Sequence, residues 1–359
     1  MTRRALAIVV VVVLGVLGLA TTAAVGAPSR VPDPGKVLDV ERRADGALDV
    51  RYQSVGLDGR AVAETAVVWL PTGPRSGGVV AWGHPTTGLG DRCAPSATDD
   101  RVPGLDALLA AGHVVVAPDY EGLGAPGSHP YLVGTSEGRS VLDALRAART
   151  VAGVHGRSAV YGWSQGGHAA LFAARLAPSY APDVRLAGVV AIAPVVDMTD
   201  LVDPGSTFGR NAGFVAMVAA GFASTYDDLD PTDVVPDAEA ALPVARRACS
   251  LEAAAALDGT ATTMPGPAWT RRLRQNDPST RRLRVPVLLV HGERDALLPF
   301  DATLDAYDRL CRLDTPIRLA DLRAAGHGDV VERSTPGVVT WLAGRLAGNR
   351  LTGCERQFG

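Results

Sequence analysis

The chain has 359 residues and a formal net charge of −3, and 47% of its residues are hydrophobic against 20% charged. That is ample apolar material for a large core, and the charge balance offers no electrostatic case for a nucleic-acid partner. Basic charge is almost all arginine, Lys36 being the only lysine, which reads as a bias of composition rather than of function.

The chain opens MTRRALAIVVVVVLGVLGLATTAAVGAPS, with two arginines ahead of an apolar run and a small-residue stretch ending in VGA. This three-part layout predicts a signal peptide over residues 1–27, cleaved after Ala27, and hence a secreted or cell-envelope protein. An uncleaved membrane anchor is the alternative, since Ala5 to Ala27 is long enough to span a bilayer if Thr21 and Thr22 are tolerated. No later stretch is long and apolar enough to do so.

From residue 28 to about 60 the chain is rich in Pro, Asp and Arg and reads as an extended arm with short strand-like pieces such as DVRYQSV. TAVVWLP is a strand closed by turn residues, and VVAW is a second that ends in the small-residue loop GHPTTG. GLDALLAAG then supplies a helix, and HVVVAPDY is a continuous apolar run of the kind buried on both faces of a parallel sheet. SVLDALRAARTV follows as a helix with Val141, Leu142, Leu145 and Ala148 on one face.

RSAVYGWSQGGHAALFAARLA repeats strand, turn and helix, and LAGVVAIAP, RVPVLLVHGERD and PIRLADLRAAGH add three strands. This recurrence predicts an α/β doubly wound, mostly parallel sheet. Residues 195–280 interrupt it with helical, Ala-rich sequence, which predicts a helical cap inserted between core parts 28–194 and 281–359. The apolar Phe214, Met217 and Phe222 of that insertion suit either a lipid-binding face or plain core.

Four cysteines, Cys93, Cys249, Cys311 and Cys354, are widely spaced, which in an exported chain predicts disulfides with three pairings open. A zinc site would need close ligand pairs, so neither metal nor cofactor is expected.

Two stretches fit G-x-S-x-G: GTSEG at 134–138 and GWSQG at 162–166. Ser164 follows a β-like run and precedes a helix opener of small residues, the context of a serine raised on a sharp strand-to-helix turn. Ser136 follows a long loop and opens a helix, so Thr135 or Ser136 reads as an N-cap. Ser164 is therefore the expected nucleophile. Its base should be His327 in RAAGHGD, beyond the last strand, and its acid Asp295 in VHGERDALLP, with Asp197 in IAPVVDMTD as the rival acid. Among the other histidines, His113 and His155 read as structural, and His168 lies on the nucleophile helix away from any base position.

Taken with HPTTG and the following CAPS, APDYEGLG, HPYLVGTSEGRSVLDALRAAR, YGWSQGG, VHGERDALLP and AAGHGD, the chain from about 60 to 345 resembles the secretory lipase family of α/β-hydrolases, which includes fungal lipase A and actinobacterial members. The resemblance implies a Ser-Asp-His triad, a helical cap and hydrolysis of carboxylic esters, often triacylglycerols, with transient contact at a lipid interface. It also favours disulfides 93–249 and 311–354. The first oxyanion donor should be the amide of Gln165, next after the nucleophile. Many relatives read HGTTG where this chain has HPTTG, and Pro85 has no amide to donate, so Thr86 is the expected second donor, with Thr87 and His84 as rivals. Three other readings stay open: a short-chain carboxylesterase, a proline-type serine aminopeptidase that would use the acidic stretch YDDLDPTD to hold a substrate amine, and a catalytically inactive hydrolase-fold interaction protein.

Overall fold

The computed structural model describes residues 32–98 and 102–358, so the expected signal segment lies outside the described residues. One sheet holds ten strands: β1 (Val37–Arg42), β2 (Leu48–Val55), β3 (Ala61–Trp69), β4 (Val79–Gly83), β5 (Val114–Pro118), β6 (Ser158–Trp163), β7 (Leu186–Ile192), β8 (Val287–Gly292), β9 (Ile317–Leu322) and β10 (Cys354–Phe358). They lie in the order β1-β2-β3-β5-β4-β6-β7-β8-β9-β10. Pairing is antiparallel from β1 through β3 to β5 and parallel from β5 onwards.

The central parallel strands are apolar without alternation because helices cover both faces. Alternate residues separate cleanly between two clusters. Val79, Ala81, Val160, Val189, Ala191 and Leu289 face one side, covered by α2 (Gly134–Ala152), α3 (Gln165–Tyr180) and α8 (Phe300–Arg312). Val80, Trp82, Ala159, Tyr161, Val190 and Leu288 face the other, covered by α1 (Leu105–Ala110) and α9 (Asp329–Leu346). Successive strand residues point to opposite faces, so an unbroken apolar run feeds both cores at once.

Between β7 and β8 the chain forms α4 (Ala212–Ala223), α5 (Ala238–Ala245), α6 (Ser250–Ala256) and α7 (Pro267–Gln275) around a third apolar cluster. Met217 and Phe222 are fully buried in that cluster with Trp269, Tyr131 and Leu132, whereas Phe214 packs against it half-buried. Among the described residues no helix is long and apolar enough to cross a membrane.

The arm expected over 28–60 is a paired antiparallel hairpin, β1 and β2, continuous with the sheet. The C-terminal strand β10, CERQF, has no apolar pattern that would predict a strand. It adds to β9 at the sheet edge, where the Cys311–Cys354 disulfide fastens it. Cys93 bonds Cys249, linking the loop after β4 to the start of α6.

Candidate active site

The turn between β6 and α3 brings two backbones together. A Cβ on Gly162 would sit 2.2 Å from the carbonyl oxygen of Gly166, and one on Gly166 would sit 1.9 Å from that of Gly83. Only glycine fits either place. Ser164, between them, adopts φ 57° and ψ −117°, a conformation that L-residues rarely hold and that surrounding packing must enforce. Its side chain stands at the C-terminal edge of the sheet, and the residue is 7% exposed.

His327 lies in the loop between β9 and α9, and its Nε2 is 3.1 Å from Ser164 Oγ. Its Nδ1 is 2.7 Å from Asp295 Oδ2, on the loop after β8. Asp295 Oδ1 accepts from the amides of Leu297 and Leu298, both at 2.8 Å. Oδ2 meets a second imidazole, His291 Nε2, at 3.1 Å. Burial alone would push this carboxyl up, but hydrogen bonds from His291 and His327, the charge of His327 and the Leu298 amide outweigh it. The group is held well below the usual aspartate range. Asp197 is elsewhere engaged, since its Oδ1 accepts from the hydroxyl and amide of Thr199.

Gln165 is the first residue of α3, so its amide has no partner within the helix and is free to meet an external acceptor. In the loop after β4, the Thr86 hydroxyl is 2.7 Å from the hydroxyl of Tyr131. The Thr87 carbonyl accepts from the Ser250 amide and Gly88 bridges to Cys249, so this loop is bound to α6 as well as to the sheet. Both ring nitrogens of His84 face carbonyl oxygens, of Pro85 and Asp119, so His84 braces the loop.

The other pentapeptide has a different reason for its glycines. Gly134 and Gly138 lie in the first turns of α2, where a Cβ would meet Phe172 at 2.1 Å and the Phe172 backbone at 2.9 Å, so they allow α2 to lie against α3. Neither Thr135 nor Ser136 is the N-cap: that position is Val133, with no side-chain cap. Ser136 instead is buried, with its hydroxyl donating to Glu121 at 2.5 Å. His291, Glu137, His129 and Tyr131 also hydrogen-bond around the site, and no local sequence pattern marks them beyond the second pentapeptide itself, which contains Glu137.

A cavity of about 880 Å³ lies next to the site, with Trp82, His84, Pro85, Trp163 and Gly328 in its wall. Trp163 and Gly328 precede and follow Ser164 and His327 in the chain, although the side chains of Ser164, Asp295 and His327 do not line it.

The Secretory lipase family profile matches residues 98–258. Lipase 7 of Candida albicans is 26% identical over 262 residues, covering 70% of this chain and 60% of that protein. The secreted triacylglycerol lipase LIP3 of Malassezia globosa is 28% identical over 274 residues, covering 70% of this chain and 59% of that protein. The matched part thus spans less than two thirds of those relatives. The X-ray structure of Candida antarctica lipase A in its closed state superposes with a TM-score of 0.74 at 19% identity, over 90% of this chain and 85% of that one. At 19% identity the structural likeness shows a shared fold, and the family profile covers residues 98–258 of the chain.

Proposed function

We propose that this chain, an α/β-hydrolase related to the secretory lipases, is an exported serine hydrolase that cleaves carboxylic esters, preferentially lipid esters such as triacylglycerols. The observation that carries the reading is the bridging position of His327, within hydrogen-bond distance of Ser164 on one ring nitrogen and of Asp295 on the other.

In this reading His327 Nε2 takes the Ser164 proton as Oγ attacks the ester carbonyl, and Asp295 holds the proton on Nδ1. The amides of Gln165 and Thr86 receive the developing oxyanion. Collapse breaks the ester C–O bond, and the leaving alkoxide takes the proton from His327 Nε2. Water, activated by the same nitrogen, then attacks the acyl-enzyme, releasing the carboxylic acid and restoring Ser164. The four helices between β7 and β8 act as a cap over this edge of the sheet, within an insertion over residues 195–280. Export is supported by the N-terminal signal pattern and by the family's description.

Two of the carboxylates that an aminopeptidase would use to hold a substrate amine have partners within the chain. Asp228 pairs with Arg271 and Arg272, and Asp230 accepts from the amide and hydroxyl of Thr232. Hydrolysis of p-nitrophenyl esters by the wild type, Ser164→Ala and Ser136→Ala tests the proposal. The first substitution should bring turnover near the uncatalysed rate and the second should keep the ester reaction. The reverse would reject Ser164.

A further inference from the structure

The second pentapeptide carries a buried carboxylate that no step above uses. Glu137 is 0% exposed, and its two oxygens meet three nitrogens. Oε1 accepts from the backbone amide of Leu132 at 3.1 Å and from Gln165 Nε2 at 2.8 Å. Oε2 lies 2.6 Å from His168 Nδ1.

Counting protons assigns the roles. His168 Nε2 is 2.9 Å from the carbonyl of Asn276, so that nitrogen must donate. The Nδ1 to Oε2 contact therefore holds one proton, whichever atom carries it. His129 Nδ1 donates to the carbonyl of Glu121 at 2.8 Å, which leaves its Nε2 as an acceptor for Gln165 Nε2 at 3.0 Å. Burial drives the His129 imidazole down to about 4, in keeping with the neutral form that this acceptor role requires. Both hydrogens of the Gln165 side-chain amide are thus engaged, one by Glu137 and one by His129.

The same carboxylate reaches the other half of the site. Leu132, whose amide Glu137 holds, has a positive φ of 57° in the loop that precedes α2. Next to it, the Tyr131 hydroxyl meets the hydroxyl of Thr86. We infer that Glu137 is a positioning residue that sets both proposed oxyanion donors, Gln165 through its side chain and Thr86 through Leu132 and Tyr131. This rests on the ester-hydrolase reading, in which those two amides stabilise the transition state. The energetic logic is that a donor displaced by a fraction of an ångström loses charge stabilisation in the transition state while ground-state binding is nearly unaffected.

The test is kcat and KM on a p-nitrophenyl ester, expressed per active site counted by phosphonate burst titration, for wild type, E137A, E137Q and Q165A. Glutamine in place of Glu137 can accept from Leu132 and Gln165 and donate to His168 Nδ1, so its hydrogen bonds are all kept. We expect E137A to lose about 30-fold in kcat per titrated site with KM within about twofold, and E137Q to recover to within about threefold of wild type. Q165A keeps the backbone amide and the other two bonds of Glu137, so it carries the expectation, at about tenfold, if E137A does not fold. A purely structural role would lower the titratable fraction and leave kcat per site unchanged, and that result overturns the inference. Wild-type protein without ester turnover would instead reject the function on which it rests.

Discussion

His291 Nε2 approaches the same Oδ2 of Asp295 that His327 Nδ1 uses, at 3.1 Å against 2.7 Å. It also faces the carbonyl of Leu298 at 3.1 Å, so this nitrogen carries a proton, and Nδ1 lies 2.7 Å from the Thr303 hydroxyl. Asp295 therefore has a donor on every available face, which keeps it ionised and aimed at His327. His291→Leu should lower kcat about tenfold with little change in KM, because one donor to a group that orients the base is lost. Since Asp295 sits below the usual carboxylate range, its contribution to stability is present above the unfolded value and lost only as pH falls through the lower folded value. The acid limb of kcat/KM should accordingly carry one proton, and a two-proton slope would contradict this.

A second pH effect should come from Glu64, on β3. Burial pushes its carboxyl up to about 8, against the opposing hydrogen bonds of Tyr52 and Ser140. A folded value above the unfolded one means the native state holds the extra proton, so stability is full below the unfolded value and declines as pH rises to about 8. Thermal melts should show Tm falling between about pH 5 and pH 8 in the wild type. Glu64→Gln should flatten that fall, since Gln can meet the Tyr52 and Ser140 hydroxyls without charge.

The two disulfides should differ in what they protect. Cys93–Cys249 closes 156 residues and Cys311–Cys354 closes 43. Chain entropy alone gives about 5 and about 4 kcal/mol, a small difference. The first, however, joins the loop carrying Thr86 to α6, while the second fastens an edge strand. Replacing Cys93 and Cys249 by Ala should reduce kcat as well as Tm, whereas replacing Cys311 and Cys354 should reduce Tm with kcat kept. Equal kinetic effects would remove the loop from the oxyanion argument.

Lipid preference gives a graded expectation. Each buried methylene is worth about 0.8 kcal/mol, or a factor of about four, so turnover should rise from acetyl to octanoyl esters and rise further at an oil-water interface. Met217 and Phe222 are fully buried and Phe214 half-buried, so the acyl contacts are proposed for Phe214 and the cavity walled by Trp82 and Trp163. A steady fall beyond butyryl with no interfacial gain would leave an esterase without lipase character.

Much of this was legible because parallel strands advertise themselves. VVAW, VVVAP and VLLV are apolar at every position, and the residues after them fall at the edge where Ser164, Asp295 and His327 meet. The hairpin β1–β2 and the strand β10 were harder to read. β1 is exposed beyond Val37 and β10 is polar in sequence, so backbone pairing holds β1, and pairing with a disulfide holds β10. The purpose of GTSEG was hidden for a different reason. Its glycines answer to α3 and its Glu137 to Gln165 and His168, partners about 30 residues away that no local pattern reveals.

The central claim is that Ser164 is the nucleophile of a working triad. Fluorophosphonate labelling of the folded protein followed by peptide mapping tests it most directly, because only an activated serine beside an oxyanion site reacts quickly. One adduct on Ser164, abolished by His327→Ala and retained in Ser136→Ala, is the predicted result. An adduct on Ser136, or no adduct on folded protein, would contradict it.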